Sequence, residues 1–383
     1  WISADITAPP VKKSTGGVFF CPVLLFCPRE CAIINVYNFA FTKKGLVLIM
    51  EKMMNAAVLH AVGDLRYEKV PMPTVHEGEV LMKVMAAGVC GSDIPRVFEK
   101  GTYHFPTIPG HEFAGLIVDG DPELVGKRAA VFPLLPCRKC ASCEVGEYAN
   151  CKNYDYYGSR RDGGFAEYIA VDKRNLVITP DDLSYACASL CEPGAVGRAA
   201  IRRLGVELGD LCVIWGAGPI GLIAAQWARR AGAACVRVVD ISAEKLAFAK
   251  KFGFEPYDPE KDGPCDCALE GTGAAPALCD AISALKAHGR IVLMGNPARD
   301  MTIKQSVYSQ LLRKELSLRG TWNSSYNQTV NDWSATIAAM ASGEIKYEEL
   351  ITHRFPLSEC NRALDMMHER REFYTKVTFI MGE

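Results

Sequence analysis

The sequence predicts an α/β protein in which a β-rich region precedes a doubly wound parallel sheet. Up to about residue 181, apolar residues come in short runs broken by Pro and Gly, with little helical periodicity. From about Gly194, short apolar runs alternate with helical stretches. Within the second regime lies Leu211-Cys-Val-Ile-Trp215, followed at once by Gly216-Ala-Gly218-Pro219-Ile220-Gly221. A helix through Arg230 and a second strand, 236–239 ending in Asp240, come next. That order is what a dinucleotide-binding unit requires: glycines for a tight turn and close approach of a pyrophosphate, an acid for a ribose diol.

The remaining elements follow in chain order. Residues 1–52 are expected to be an extension, disordered or upstream of the true reading start. Lys12 and Lys13 precede an apolar run, 18–26, that Pro22 interrupts, and no clean small-residue cleavage site follows. From Met54 the runs 56–60, 80–84, 128–132 and 165–171 read as strands. Beyond Asp240, strands are expected at 289–295 and 316–320, helices at 329–342 and 358–369, and a closing strand at 376–381.

Composition excludes several classes. Apolar residues make up 49% and charged residues 23%, ordinary values for a globular protein. A formal net charge of −1 gives no electrostatic basis for a nucleic-acid or anionic-membrane partner. No apolar run is long enough to span a bilayer. The 16 cysteines, without a clear signal peptide, point to reduced thiols and metal rather than disulfides, hence to the cytoplasm.

Two stretches carry metal chemistry. Gly88-Val-Cys90-Gly-Ser92-Asp93 and Gly110-His111-Glu112 offer a thiolate and an imidazole, the ligand types zinc prefers. Ser92 can hand on a proton, and Asp93 can orient a ligand from behind. Cys137, Cys140, Cys143 and Cys151 lie on one short loop and can close a tetrahedral shell with no open position, which is a structural zinc site. A zinc ribbon for nucleic acid is the alternative, but no basic patch surrounds the loop.

In kind and order these motifs resemble those of the zinc-dependent medium-chain dehydrogenase/reductases, from Met54 to Glu383. The likeness is to the polyol dehydrogenase branch. It is carried by Gly91-Ser-Asp-Ile-Pro-Arg-Val-Phe, Pro133-Leu-Leu-Pro-Cys137, Gly158-Ser-Arg-Arg-Asp-Gly-Gly-Phe-Ala-Glu-Tyr168 and Leu312-Arg-Lys-Glu-Leu316. The resemblance implies a GroES-like catalytic domain over 53–195 and 323–383, and a Rossmann NAD-binding domain over 196–322. The active site would lie in the cleft between them. It implies one catalytic and one structural zinc, NAD as cofactor and a homo-oligomer, dimer or tetramer.

Residue by residue, it makes Cys90 and His111 catalytic-zinc ligands, with Glu112 as an adjoining acid that can exchange in. Glu192, in Cys191-Glu192-Pro193, takes the place of a further ligand, although a slip of one register would substitute Cys191. Gly216, Gly218, Pro219, Ile220, Gly221, Asp240 and Lys245 would meet the nucleotide. Pro95 stands where some relatives have a relay histidine, leaving Ser92, water or Glu192 for proton exit. The implied reaction is NAD-dependent oxidation of a sugar-alcohol phosphate, with a free polyol as the alternative substrate. Arg96, Arg160 and Arg161 are expected to hold the phosphate. A catalytically silent nucleotide-binding protein of the same fold is the remaining alternative.

Overall fold

The computed structural model describes residues 38–42, 45–49 and 52–382, the first two as backbone only. The chain divides into two compact units, Trp1–Met53 and Met54–Glu383. In the first, Asn38–Thr42 and Gly45–Ile49 pair antiparallel, within the extension expected to be disordered or upstream of the true reading start. The rest of that extension up to Glu51 lies outside the described residues.

The second unit contains two large sheets. One has seven strands, ordered Leu176–Ile178, Arg128–Val131, Glu112–Asp119, Glu79–Val89, Lys376–Ile380 and Ile351–Pro356, with Tyr168–Asp172 also pairing with Glu79–Val89. It therefore takes strands from both ends of the unit. The other has six parallel strands, ordered Glu255–Pro256, Cys235–Val239, Leu211–Trp215, Cys265–Glu270, Leu285–Leu293 and Ser317–Gly320. The order reverses at Leu211–Trp215, the arrangement of a doubly wound nucleotide fold, with a crevice at the strand's carboxyl end.

Helix Cys191–Leu204 touches both sheets, and the expected domain division at 195/196 falls inside it. Its core face joins one apolar cluster that includes Phe132 from the first sheet, Ile214 from the second, and Trp333. Arg198 and Arg202 reach from it to the buried carboxylate of Asp332, which opens helix Asp332–Ala341. This fixes the helix along its length and so fixes its first turn, which carries Glu192.

Most expected elements occur within a few residues of their expected bounds. One strand shifts for a definable reason. Phe165 and Ala166 do not join Tyr168–Asp172, because the Phe165 backbone bonds Pro109 and Ala57 (3.0 and 2.9 Å) and Ala166 bridges Ala56. The strand Glu112–Asp119 was not anticipated; it begins at the presumed ligand motif itself. Short helical turns, Asp93–Pro95 running into Arg96–Lys100 and Ala141–Glu144, also interrupt the β-rich region.

Candidate active site and metal centres

Strand Glu79–Val89 delivers Cys90 at its end, and strand Glu112–Asp119 runs antiparallel beside it. Gly88 and Glu112 are paired across these strands. A Cβ on Gly88 would lie 2.4 Å from Glu112 Oε2, so the missing side chain makes room for the carboxylate. Ligand atoms of Cys90, His111 and Glu112 consequently lie within 4.8 Å of one another.

Two charged groups support this cluster from behind. Asp93 is fully buried; it accepts the Cys90 N–H (3.0 Å) and the Arg96 guanidinium (2.5 Å). Its Oδ1 also stands 3.6 Å from His111 Nδ1, a buried ring nitrogen with no hydrogen-bond partner. Burial pushes the Asp93 carboxyl up, but His111, Arg96 and the Cys90 N–H hold it net below its ordinary value. Opposite, Lys376 Nζ donates to Glu112 Oε2 and to Val89 O (3.0 Å), both partners being buried. Burial opposes the ammonium charge; Glu112 and Cys90 more than restore it.

The structure groups Glu112, the expected adjoining acid, with Cys90 and His111; the ligand atoms of Glu192 are not part of that cluster. Glu192 is nevertheless buried within electrostatic reach of His111, Glu112 and Lys376. Burial, aided by Glu112 and Asp93 against His111 and Lys376, pushes its carboxyl up to about 7. Cys191 points the other way: its Sγ faces Trp333 O at 3.8 Å in the core. Neighbouring helix positions are rotated by about 100°, so Cys191 and Glu192 cannot share one target.

Ser92 is exposed beside Cys90 and makes no side-chain cap bond, leaving its hydroxyl available. Tyr156, not anticipated, is half-buried with its ring 5.8 Å from that of His111. Its hydroxyl is pushed up by burial and by the negative charge of Glu192 and Cys90.

The second cluster is complete in one loop. Sγ separations of 3.9 Å (Cys137–Cys143), 3.6 Å (Cys140–Cys143) and 3.9 Å (Cys140–Cys151) match the edge of a tetrahedron. With Zn–S bonds of about 2.3 Å, that edge is roughly 3.8 Å. Backbone N–H groups favour thiolates at two corners: the Cys143 amide leads in bringing Cys140 down to about 6, and the Lys139 amide in lowering Cys137. Zinc therefore fits both clusters on donor chemistry, and the quartet on geometry as well.

The nucleotide turn is equally specific. Gly216 has φ +104°, and a Cβ on Gly221 would sit 1.8 Å from Gly216 O, so neither tolerates a side chain. Space around Gly218 is open, and it opens helix Pro219–Arg230 with no side-chain cap. Free N–H groups at a helix start facing open space fit a pyrophosphate. Asp240 accepts the amides of Ala217 and Ser242, each at 2.9 Å, and Lys245 Nζ stands 3.8 Å away.

The three arginines separate. Arg96 is committed to Asp93, and Arg161 to Asp155 (2.7 Å) and Glu79 (3.8 Å), so the structure does not leave either free for a phosphate as expected. Arg160 meets no carboxylate among the described residues; it lies against the rings of Tyr103 and Tyr154.

Comparison with known proteins agrees with this layout. The alcohol dehydrogenase GroES-like domain matches residues 76–181, and the zinc-binding dehydrogenase domain matches 219–342. The chain is 35% identical over 321 residues to galactitol 1-phosphate 5-dehydrogenase of Escherichia coli K12, covering 79% of this chain and 92% of that one. It is 31% identical over 341 residues to sorbitol dehydrogenase of Bombyx mori, covering 81% and 94%. The crystal structure of galactitol-1-phosphate dehydrogenase from Escherichia coli superposes with a TM-score of 0.79 at 33% identity, over 85% of this chain and 100% of that one.

Proposed function

The chain belongs to the zinc-binding, GroES-like alcohol dehydrogenase family, and from that premise we propose that it oxidises a secondary alcohol of a sugar-alcohol phosphate to the ketone, with NAD as the hydride acceptor. The carrying observation is the Cys90–His111–Glu112 cluster with Asp93 and Lys376 behind it. Cys90, His111 and Glu192 hold the catalytic zinc in this reading, with Glu112 as the exchanging acid and the four-cysteine loop as the structural site. Bound zinc supplies Lewis acidity toward the alcohol, and the nicotinamide supplies the hydride acceptor.

The chain's own residues do the rest. Asp93 sets a negative charge 3.6 Å behind His111 Nδ1, which keeps the ring's far nitrogen a good donor. The exposed Ser92 hydroxyl receives the alcohol proton and passes it to solvent, a role Pro95 cannot take. Asp240 places a negative charge where a 2′-phosphate would lie, which favours NAD over NADP. Thiols grouped for metal rather than paired as disulfides support a reducing compartment, the cytoplasm.

The phosphorylated substrate is favoured by the likeness to galactitol 1-phosphate 5-dehydrogenase, and a free polyol by the slightly weaker likeness to sorbitol dehydrogenase. Turnover of hexitol 1-phosphates and free hexitols with NAD, measured with metal content on one preparation, tests the reading. Equal or better turnover of the free hexitol would move the assignment to the sorbitol type. Loaded zinc and bound NAD without any turnover would remove the enzyme reading.

A further inference from the structure

Resting on the phosphorylated-substrate reading above, we propose that Arg160, packed against Tyr103 and Tyr154, holds the distal phosphate monoester of the substrate and sets the preference over the free polyol.

Of the three arginines near the site, Arg160 alone keeps its charge unspent among the described residues. Its guanidinium carbon lies 4.2 Å from the Tyr103 ring centroid and 4.4 Å from that of Tyr154. One N–H donates to the Tyr103 hydroxyl at 3.3 Å, which leaves most of its five donors unused. A guanidinium packed against two rings has lost part of its rotamer freedom before binding, and its unused N–H groups remain available for a bidentate anion. Their planar arrangement matches two oxygens of a phosphate in a way a lysine would not.

The loop that carries it is tied to the metal-site segment. Gly163 N–H donates to Ile108 O (2.7 Å), Gly164 N–H to Gly110 O (2.8 Å), and the Ile108 amide to Asp162 Oδ1 (2.9 Å). A Cβ on Gly163 would lie 2.1 Å from Gly110 O, so the two backbones are in direct contact one residue before His111. From the other side, Thr102 Oγ1 donates to Ser159 O (2.5 Å) and a His104 ring nitrogen lies 3.0 Å from Arg160 O. Two ring contacts then lead back to the metal site: Tyr154 to Tyr156 at 6.3 Å and Tyr156 to His111 at 5.8 Å. Arg160 therefore sits on a loop anchored to the segment that carries His111.

The test uses the full-length, zinc-loaded enzyme with saturating NAD, a hexitol 1-phosphate, the free hexitol, and inorganic phosphate as inhibitor. Arg160→Gln should lower kcat/KM for the phosphorylated substrate about 10- to 100-fold, mostly through KM, the range for a charged hydrogen bond. It should leave the free hexitol within about twofold and remove competitive inhibition by phosphate. Arg160→Lys should recover part of the loss, and Arg161→Gln should not change the ratio between substrates. Equal losses on both substrates in Arg160→Gln, or an unchanged ratio, would overturn the proposal. A wild-type enzyme active only on the free hexitol would end the phosphorylated-substrate reading by itself. In that case, phosphate competition abolished by Arg160→Gln would still support an anion site at Arg160, and absence of competition in the wild type would end that too.

Discussion

Lys376, from the last strand of the chain, meets the carboxylate of Glu112 beneath the candidate catalytic centre, and both side chains are almost entirely buried. Each neutralises a charge that burial would otherwise make costly. Lys376→Met should therefore destabilise the protein by about 3–5 kcal/mol, the cost of a stranded buried charge. The double variant Lys376→Met/Glu112→Gln should recover much of that loss. Thermal and urea unfolding of the three proteins provide the check; a double variant no more stable than the single one would contradict the pairing.

Glu192 gives a pH signature in zinc-free protein. Its folded value of about 7 lies above the ordinary carboxyl value of 4.5, so the folded state holds a proton that the unfolded chain releases. The associated stability is present in full below about 4.5 and is lost as pH rises through about 7. The whole span corresponds to roughly 3 kcal/mol. Glu192→Gln should accordingly become more stable relative to wild type on going from pH 5 to pH 8 in chelator-treated samples. A constant difference across that range would mean that Glu192 is charged in the zinc-free fold.

The two metal clusters should fail differently. Cys140→Ser opens a closed thiolate shell whose metal binding contributes folding free energy, so the melting temperature should drop sharply and metal content fall by about half. Cys90→Ser should also lose about half the metal and nearly all turnover, yet melt close to wild type. Metal analysis with calorimetry separates the two, and equal destabilisation would show that the loop is not the structural site.

At the nucleotide turn, Asp240→Ala should weaken NAD binding and narrow its advantage over NADP, because repulsion toward a 2′-phosphate is removed. Gly221→Ala should impair both cofactors alike, since its Cβ would collide with Gly216 O at 1.8 Å and distort the turn itself. Titration of both nucleotides against intrinsic fluorescence distinguishes a change of preference from a general loss.

What was legible in the sequence was what is local. The glycine turn, the cysteine loop and the strand 211–215 each declare themselves within a few residues, and the structure forms them where expected. Lys376 was not legible, because its partner Glu112 lies 264 residues away and nothing in its own strand marks it as charged and buried. Arg96 illustrates a different loss: it sits three residues after Asp93 at the start of a helical turn, and that short-range pairing claims the guanidinium before any substrate can. Tyr156 could have been suspected from the cluster Tyr154, Tyr156 and Tyr157, yet only the fold shows that one of them lies tilted against His111.

The position of strand Lys376–Ile380, between Glu79–Val89 and Ile351–Pro356, has a consequence for biosynthesis. While a ribosome is still translating the six-stranded nucleotide sheet, the first sheet of the nascent chain leaves Ala86–Val89 unpaired on one side, next to Glu79–Lys83, which Tyr168–Asp172 already covers. That short stretch is an open edge able to recruit a foreign strand. Glu112 waits there without its cation until Lys376 has been made. A chain cut short before Lys376 would thus keep both metal loops but leave the sheet unsealed and Glu112 buried without its partner, a product for chaperones and proteases to recognise.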